Sequence, residues 1–269
     1  MVFRNQIDLQ LDTGPLRCLL LFRAFLAAML LFAVALERAS AEQVRHHKGY
    51  NVTATGLTPE YPSGYACSPL TSLYASWIDV DGSRRNERHT GVDGGRLGEW
   101  ILAPAAGRVR AVWRSNWGWG WEGSLLIVHT RGDLGLEKGP MLYYSALDHL
   151  SYDEIKSFKV GQPIERGQRL GTVQRPGDNS NYLPEVHWEV WEATTDQLRW
   201  RTNQHGGGTW SNTTARLIDP LSMLRITSRS SGPSKNVKIN PFVSCQDQTA
   251  CHGFTYILPC KPRGAGKHN

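Results

Sequence analysis

Between Ser68 and Pro220 short apolar runs alternate with Gly, Pro and Asp. The runs are Trp100-Ile-Leu-Ala-Pro104, Gly107-Arg-Val-Arg-Ala-Val-Trp113, Ser124-Leu-Leu-Ile-Val-His129, Met141-Leu-Tyr-Tyr-Ser145, Gly167-Gln-Arg-Leu-Gly-Thr-Val173 and Val186-His-Trp-Glu-Val-Trp191. Regular short strands separated by turn signals predict an antiparallel all-β sheet, sandwich or barrel. Asp153 to Phe158 reads as one helical turn, and Asn203 to Thr214 as a Gly, Asn and Thr-rich loop. Residues 42–66 are polar and read as an irregular lead-in. Residues 229–269 form a basic tail too short for a large core, expected to need disulfides for order.

The N-terminus has a different pattern. Arg17 and Arg23 precede the apolar run Ala24 to Leu36, followed by Arg38-Ala-Ser-Ala41. A charged region, an apolar region and an A-x-A site predict a secretory signal over residues 1–41. Cleavage would leave Glu42 as the first residue; only an uncut segment would anchor the chain in a membrane. Export agrees with the cysteines. Beyond Cys18 in the signal, Cys67, Cys245, Cys251 and Cys260 remain. Two disulfides are expected, with three connectivities open. Closeness in sequence favours Cys245–Cys251, and elimination then leaves Cys67–Cys260.

The net charge of +6 suits an anionic polymer such as a bacterial wall. The basic residues are scattered and no nucleic-acid motif is present, so nucleic acid is not expected as a partner. Ten Trp and 27 Gly suit a β-rich fold with turns and an aromatic surface.

His89 and Asp93 stand four apart around Gly91. On a strand, Glu185, His187 and Glu189 would share one face. Two imidazoles and a carboxylate leave a fourth zinc position for water, as in catalytic sites. Spacing alone leaves a solvated surface strand equally open.

Further motifs extend the pattern. Arg88-His-Thr-Gly-Val-Asp93 is followed by Ile101-Leu-Ala-Pro-Ala-Ala-Gly-Arg-Val109, Lys159-Val-Gly-Gln-Pro-Ile-Glu-Arg-Gly-Gln-Arg-Leu-Gly171 and Ile218-Asp-Pro-Leu221. Cys67-Ser-Pro-Leu70 stands at the entry. Together these resemble the lysostaphin-type, or LytM-like, zinc metallopeptidases over residues 67–224, within a domain drawn at 67–228. The resemblance implies a mostly antiparallel β domain with few short helices and a substrate groove, and one zinc per chain held by His89, Asp93 and His187. It implies an endopeptidase that cuts peptides of peptidoglycan, and the signal over residues 1–41 makes the expected enzyme an exported one, secreted or periplasmic. The alternative is a catalytically degenerate module that binds wall or activates another hydrolase.

Two positions depart from the family pattern. Glu185 stands where the first histidine of H-x-H is usual; a glutamate there can act as general base beside zinc. In Tyr144-Ser-Ala-Leu-Asp-His149-Leu150, either His149 is the catalytic histidine after a two-residue insertion, or Ala146 fills its slot. The longer alignment is preferred for its spacing to Lys159. Trp117-Gly-Trp-Gly-Trp121 would put three indoles on one side of an extended segment, as a groove wall or as a packed loop. Trp188, Trp191 and Trp200 are expected in packing. His129 and His205 are read as structural or solvated, and His46 and His47 as solvated.

Overall fold

The computed structural model describes residues 44–45, 51–227, 234–242 and 252–263. The expected signal, His46, His47 and the Cys245–Cys251 pair lie outside the described residues. The main sheet contains β1 (Leu70–Ser72), β2 (Val92–Gly94), β3 (Gly107–Asn116), β4 (Trp121–Thr130), β5 (Leu142–Leu150), β6 (Pro163–Ile164), β7 (Val186–Ala193) and β8 (Arg216–Ile218). Its order is β6-β3-β4-β5-β7-β2-β1, and β8 also pairs with β7. Every pairing in it is antiparallel. The fold is therefore all-β, as expected. Its helices among the described residues are short: α1 (Tyr152–Ile155), a 3-10 turn at Pro176–Asp178, and α2 (Pro220–Thr227). No described helix is long and apolar enough to cross a membrane.

The central strands explain the apolar runs. β4 and β5 are buried along most of their length, so apolar residues are needed on both faces. On one face Leu125, Ile127, Tyr143, Leu147, Trp188 and Val190 join the larger core cluster. On the other, Leu126, Tyr144, Ala146 and Trp191 form a second cluster with Trp210. Trp210 belongs to a hairpin, Arg199–Thr202 with Gly208–Ser211, in the segment read as a loop. Asn203 turns that hairpin, its side-chain oxygen accepting from the amides of His205 and Gly207. Of the tryptophans assigned to packing, Trp188 and Trp191 are buried. Trp200 is 47% exposed and meets Trp113 edge to face.

Both flanking segments differ from expectation. Within the lead-in, Val52 and Leu57 are buried, and Thr58–Glu60 pairs with Asn236–Lys238. Tyr65–Cys67 pairs with Cys260–Pro262, and the Cys67–Cys260 disulfide closes that pair. The described part of the tail also packs into the domain. Phe254, Tyr256, Ile257 and Leu258 lie in the larger core cluster. The Thr255 amide donates to the Pro104 carbonyl, and the Ile257 carbonyl accepts from the Leu102 amide. These apolar residues have no alternation to mark them as core in the sequence. Ile218 ends β8, and Asp219 Oδ1 then accepts from the Leu221 amide at 2.8 Å, capping α2.

Candidate metal centre and active site

β7 organises the site. One edge pairs with β5 and places His187 opposite Asp148. The other edge divides between β2, which places His187 opposite Asp93, and β8. Asp93, His187 and Asp148 thus form a row across three strands. His89 reaches the row from the preceding loop, which is tied down by hydrogen bonds between its backbone and Ala75 and Ser76. Gly91 permits this approach. A Cβ there would lie 2.3 Å from the Trp188 carbonyl oxygen and 2.9 Å from His187 Cε1, so the loop can cross β7 only without a side chain.

Three atoms converge. His89 Nε2 lies 2.9 Å from Asp93 Oδ1 and 3.0 Å from His187 Nδ1, and His187 Nδ1 lies 2.8 Å from Asp93 Oδ1. Both rings are held from behind. His89 Nδ1–H donates to the Leu73 carbonyl at 3.0 Å, which leaves the Nε2 lone pair facing inward. His187 Nε2–H donates to Glu189 Oε1 at 3.3 Å, which leaves the Nδ1 lone pair facing inward. Trp191 Nε1–H fixes the other oxygen of Glu189 at 2.9 Å. Two lone pairs and a carboxylate oxygen pointing at one another are repulsive unless a cation lies among them. The set fits a metal ion.

Arg85 neutralises the outer side, 2.6 Å from Asp93 Oδ2 and 2.7 Å from Asp79 Oδ1. Burial would raise Asp93, but the two histidines outweigh it and hold its carboxyl well below the usual carboxylate range. Burial depresses His89. Burial would also depress His187, yet Asp93 and Glu189 push it up to about 10.

Glu185 and His149 stand beside this group. Glu185 is buried, and its Oε2 has no hydrogen-bond partner. Burial, followed by the charge of Asp93, pushes it up to about 8. His149 Nε2 lies 3.6 Å from Glu185 Oε1. Between Leu147 and Leu150, β5 carries one more residue than β4. Strict alternation would turn His149 away from the face of His187. The bulge re-aims it, at φ +68°. Ala146, by contrast, lies between Leu126 and Glu189 in the sheet and packs in the second core cluster. The geometry therefore brings His149, not Ala146, to the site.

The Trp-Gly-Trp-Gly-Trp stretch is not extended. β3 ends at Asn116 and β4 begins at Trp121, so residues 117–120 make the turn of a hairpin. Both intervening glycines have positive φ, so the indoles do not share one side. Trp117 is at the tip. Trp119 packs on His149 and Tyr182 at centroid distances of 5.7 and 5.9 Å. Trp121 is 53% exposed and lines a recess of about 190 Å³ with Glu122, Tyr152 and Arg175. His129 is structural: its Nδ1–H donates to the Ala106 carbonyl at 2.7 Å, and its Nε2 accepts from Ser145 Oγ at 3.0 Å. His205 is exposed, on the turn beside Gly118.

Residues 87–199 match the model described as Peptidase family M23. The match covers less than half of the chain. His89, Asp93 and His187 fall inside the matched segment. Solved structures similar to the chain include the following three. A zinc containing peptidase from Vibrio cholerae is 18% identical, covering 65% of this chain and 44% of that one, with a TM-score of 0.34. A mutant catalytic domain of the prophage-encoded M23 protein EnpA from Enterococcus faecalis is 23% identical, covering 51% and 87%, at 0.32. The antimicrobial peptidase lysostaphin from Staphylococcus simulans is 20% identical, covering 67% and 56%, at 0.36. The chain spans less than half of the Vibrio chain and just over half of lysostaphin. No curated protein matches it.

Sequence reasoning missed Glu122, whose carboxylate accepts from His149 Nδ1–H, with both oxygens at 3.0 Å. Burial would raise Glu122, but His149 outweighs it and lowers its carboxyl. Burial would depress His149, yet Glu122, with help from Glu185, pushes it up to about 9. The signal in the sequence was an acid at the start of the apolar strand Trp121-Glu-Gly-Ser-Leu-Leu-Ile-Val128.

Proposed function

We propose that the protein is an exported zinc metalloendopeptidase that hydrolyses peptide bonds of bacterial cell-wall peptidoglycan. The observation that carries this reading is the convergence of His89 Nε2, Asp93 Oδ1 and His187 Nδ1, with both imidazoles held from behind in the ligating tautomer. One zinc ion held there would polarise the scissile carbonyl and acidify a water molecule. Glu185 is the base: its Oε2 has no hydrogen-bond partner, and a cation held by the cluster would offset Asp93 and favour the ionised carboxylate. His149 offers Nε2 as the second proton-carrying group. Trp119 and Trp121 flank the approach, with Trp117 at the hairpin tip, as aromatic contacts for peptide or glycan. Residues 1–41 would direct export and be removed, placing the mature chain in the periplasm, the wall or the medium.

The test is zinc analysis of purified mature protein together with digestion of several wall types, with and without a chelator. One zinc per chain and chelator-sensitive release of peptide amines are expected. Zinc occupancy without cleavage of any wall would point instead to a binding or hydrolase-activating module. Absence of zinc would overturn the endopeptidase reading.

A further inference from the structure

We propose that Glu122 is a positioning residue: its carboxylate grips His149 Nδ1–H and so turns the opposite ring nitrogen, Nε2, toward Glu185 and the three metal-ligating side chains. The inference rests on the acid–base role of His149 proposed above. Glu122 does not touch the ligands themselves, and it acts through His149.

Three observations support it. First, the carboxylate is buried and caged by donors that leave it ionised and immobile. Besides His149, the Gly177 amide donates at 2.9 Å and Trp119 Nε1–H at 3.2 Å. A buried carboxylate without such donors would be costly. The cage needs the hairpin turn and the 176–178 segment in close contact. A Cβ on Gly177 would lie 2.4 Å from the Trp119 carbonyl oxygen, so that residue must lack a side chain. The Trp-Gly-Trp-Gly-Trp-Glu stretch is thereby the frame that seats Glu122.

Second, the ring it grips sits at the bulge, where the left-handed backbone of His149 is a costly conformation for a non-glycine residue. Such a conformation persists only where its surroundings fix it, and Glu122 is the group that binds the side chain there. Third, an imidazole with one nitrogen on a carboxylate can present only the other. That other nitrogen is the one 3.6 Å from Glu185 Oε1, and the Trp119 ring packed on His149 restrains its rotation.

Glu122→Gln conserves the side-chain shape and keeps one acceptor for His149. It should keep the fold, the zinc content and KM, and lower kcat by about 10–100-fold, the range for partners that orient a site residue. In His149→Ala the further change Glu122→Ala should have no added effect on kcat, because the group it orients is gone. Proton–nitrogen NMR of the wild type, with or without zinc, should show a protonated, hydrogen-bonded His149 Nδ1 whose resonance shifts in Glu122→Gln. A wild type lacking that Nδ1–H signal overturns the proposal. So does a Glu122→Ala loss that is undiminished in the His149→Ala background. A wild type that neither holds zinc nor cleaves wall, but has the signal, supports the Glu122–His149 pair and overturns the endopeptidase reading.

Discussion

Glu185 and His129 are both buried polar side chains, but with opposite consequences. Glu185 Oε2 has no partner, so substitution would remove the proposed base without breaking a hydrogen bond of that oxygen. Glu185→Gln is expected to hold zinc at the wild-type stoichiometry and to lose at least about 100-fold in kcat, the usual scale of general acid–base catalysis. Metal analysis beside a digestion assay checks this; unchanged cleavage removes Glu185 as the base. His129 is fully partnered as the neutral imidazole, and burial pushes it down to about 4 from an ordinary 6.5. The unfolded chain therefore takes up a proton near pH 6.5 that the native state refuses. Its contribution is present above pH 6.5 and is lost as pH falls toward 4, on the order of 3 kcal/mol in all. Urea midpoints measured from pH 7 to 4.5 should fall more steeply for the wild type than for His129→Gln.

At the scale of elements, backbone geometry decides which side chains meet. The β5 bulge brings His149 to the face of His187, and the bare Cα of Gly91 lets the His89 loop cross β7. Gly91→Ala forces the Trp188 carbonyl and the His187 ring to move. A cost of about 1–3 kcal/mol in stability is expected, as for overpacking elsewhere. The displaced His187 should also weaken zinc binding. Chelator competition and thermal unfolding measure the two effects; a variant with wild-type zinc affinity would show that the approach is looser than the distances imply.

Across the whole molecule, the tail contributes core rather than ornament. Phe254, Tyr256, Ile257 and Leu258 are each at most 4% exposed. Burying such side chains contributes about 1.5–3 kcal/mol apiece. Together they rival the whole net stability of a typical domain, about 5–15 kcal/mol. The Cys67–Cys260 disulfide adds about 2–5 kcal/mol by the usual measure. Deleting residues 252–269 should therefore prevent folding, whereas Cys67→Ser with Cys260→Ser should fold at lower stability. Circular dichroism and urea titration of both variants compare them directly, and a folded truncation would contradict the core placement.

The sequence by itself marked the main strands of the central sheet, because apolar runs and turn residues are local, and it supplied His89, Asp93 and His187 in ordered motifs. It left the disulfide connectivity open among three, and the Cys67–Cys260 bond was decided by the pairing of two distant strands. Tertiary structure decided what local pattern cannot encode. Asp93 and His187 meet across a separation of 94 residues, and Glu122 and His149 across 27. The choice of His149 over Ala146 turned on one extra residue in β5, which reverses the face a side chain takes. The place of Glu122 turned on a hairpin tip closing against Gly177. The tail joined the core because its apolar residues fit beside Leu102 and Pro104, a contact between distant segments that no periodicity in either one records.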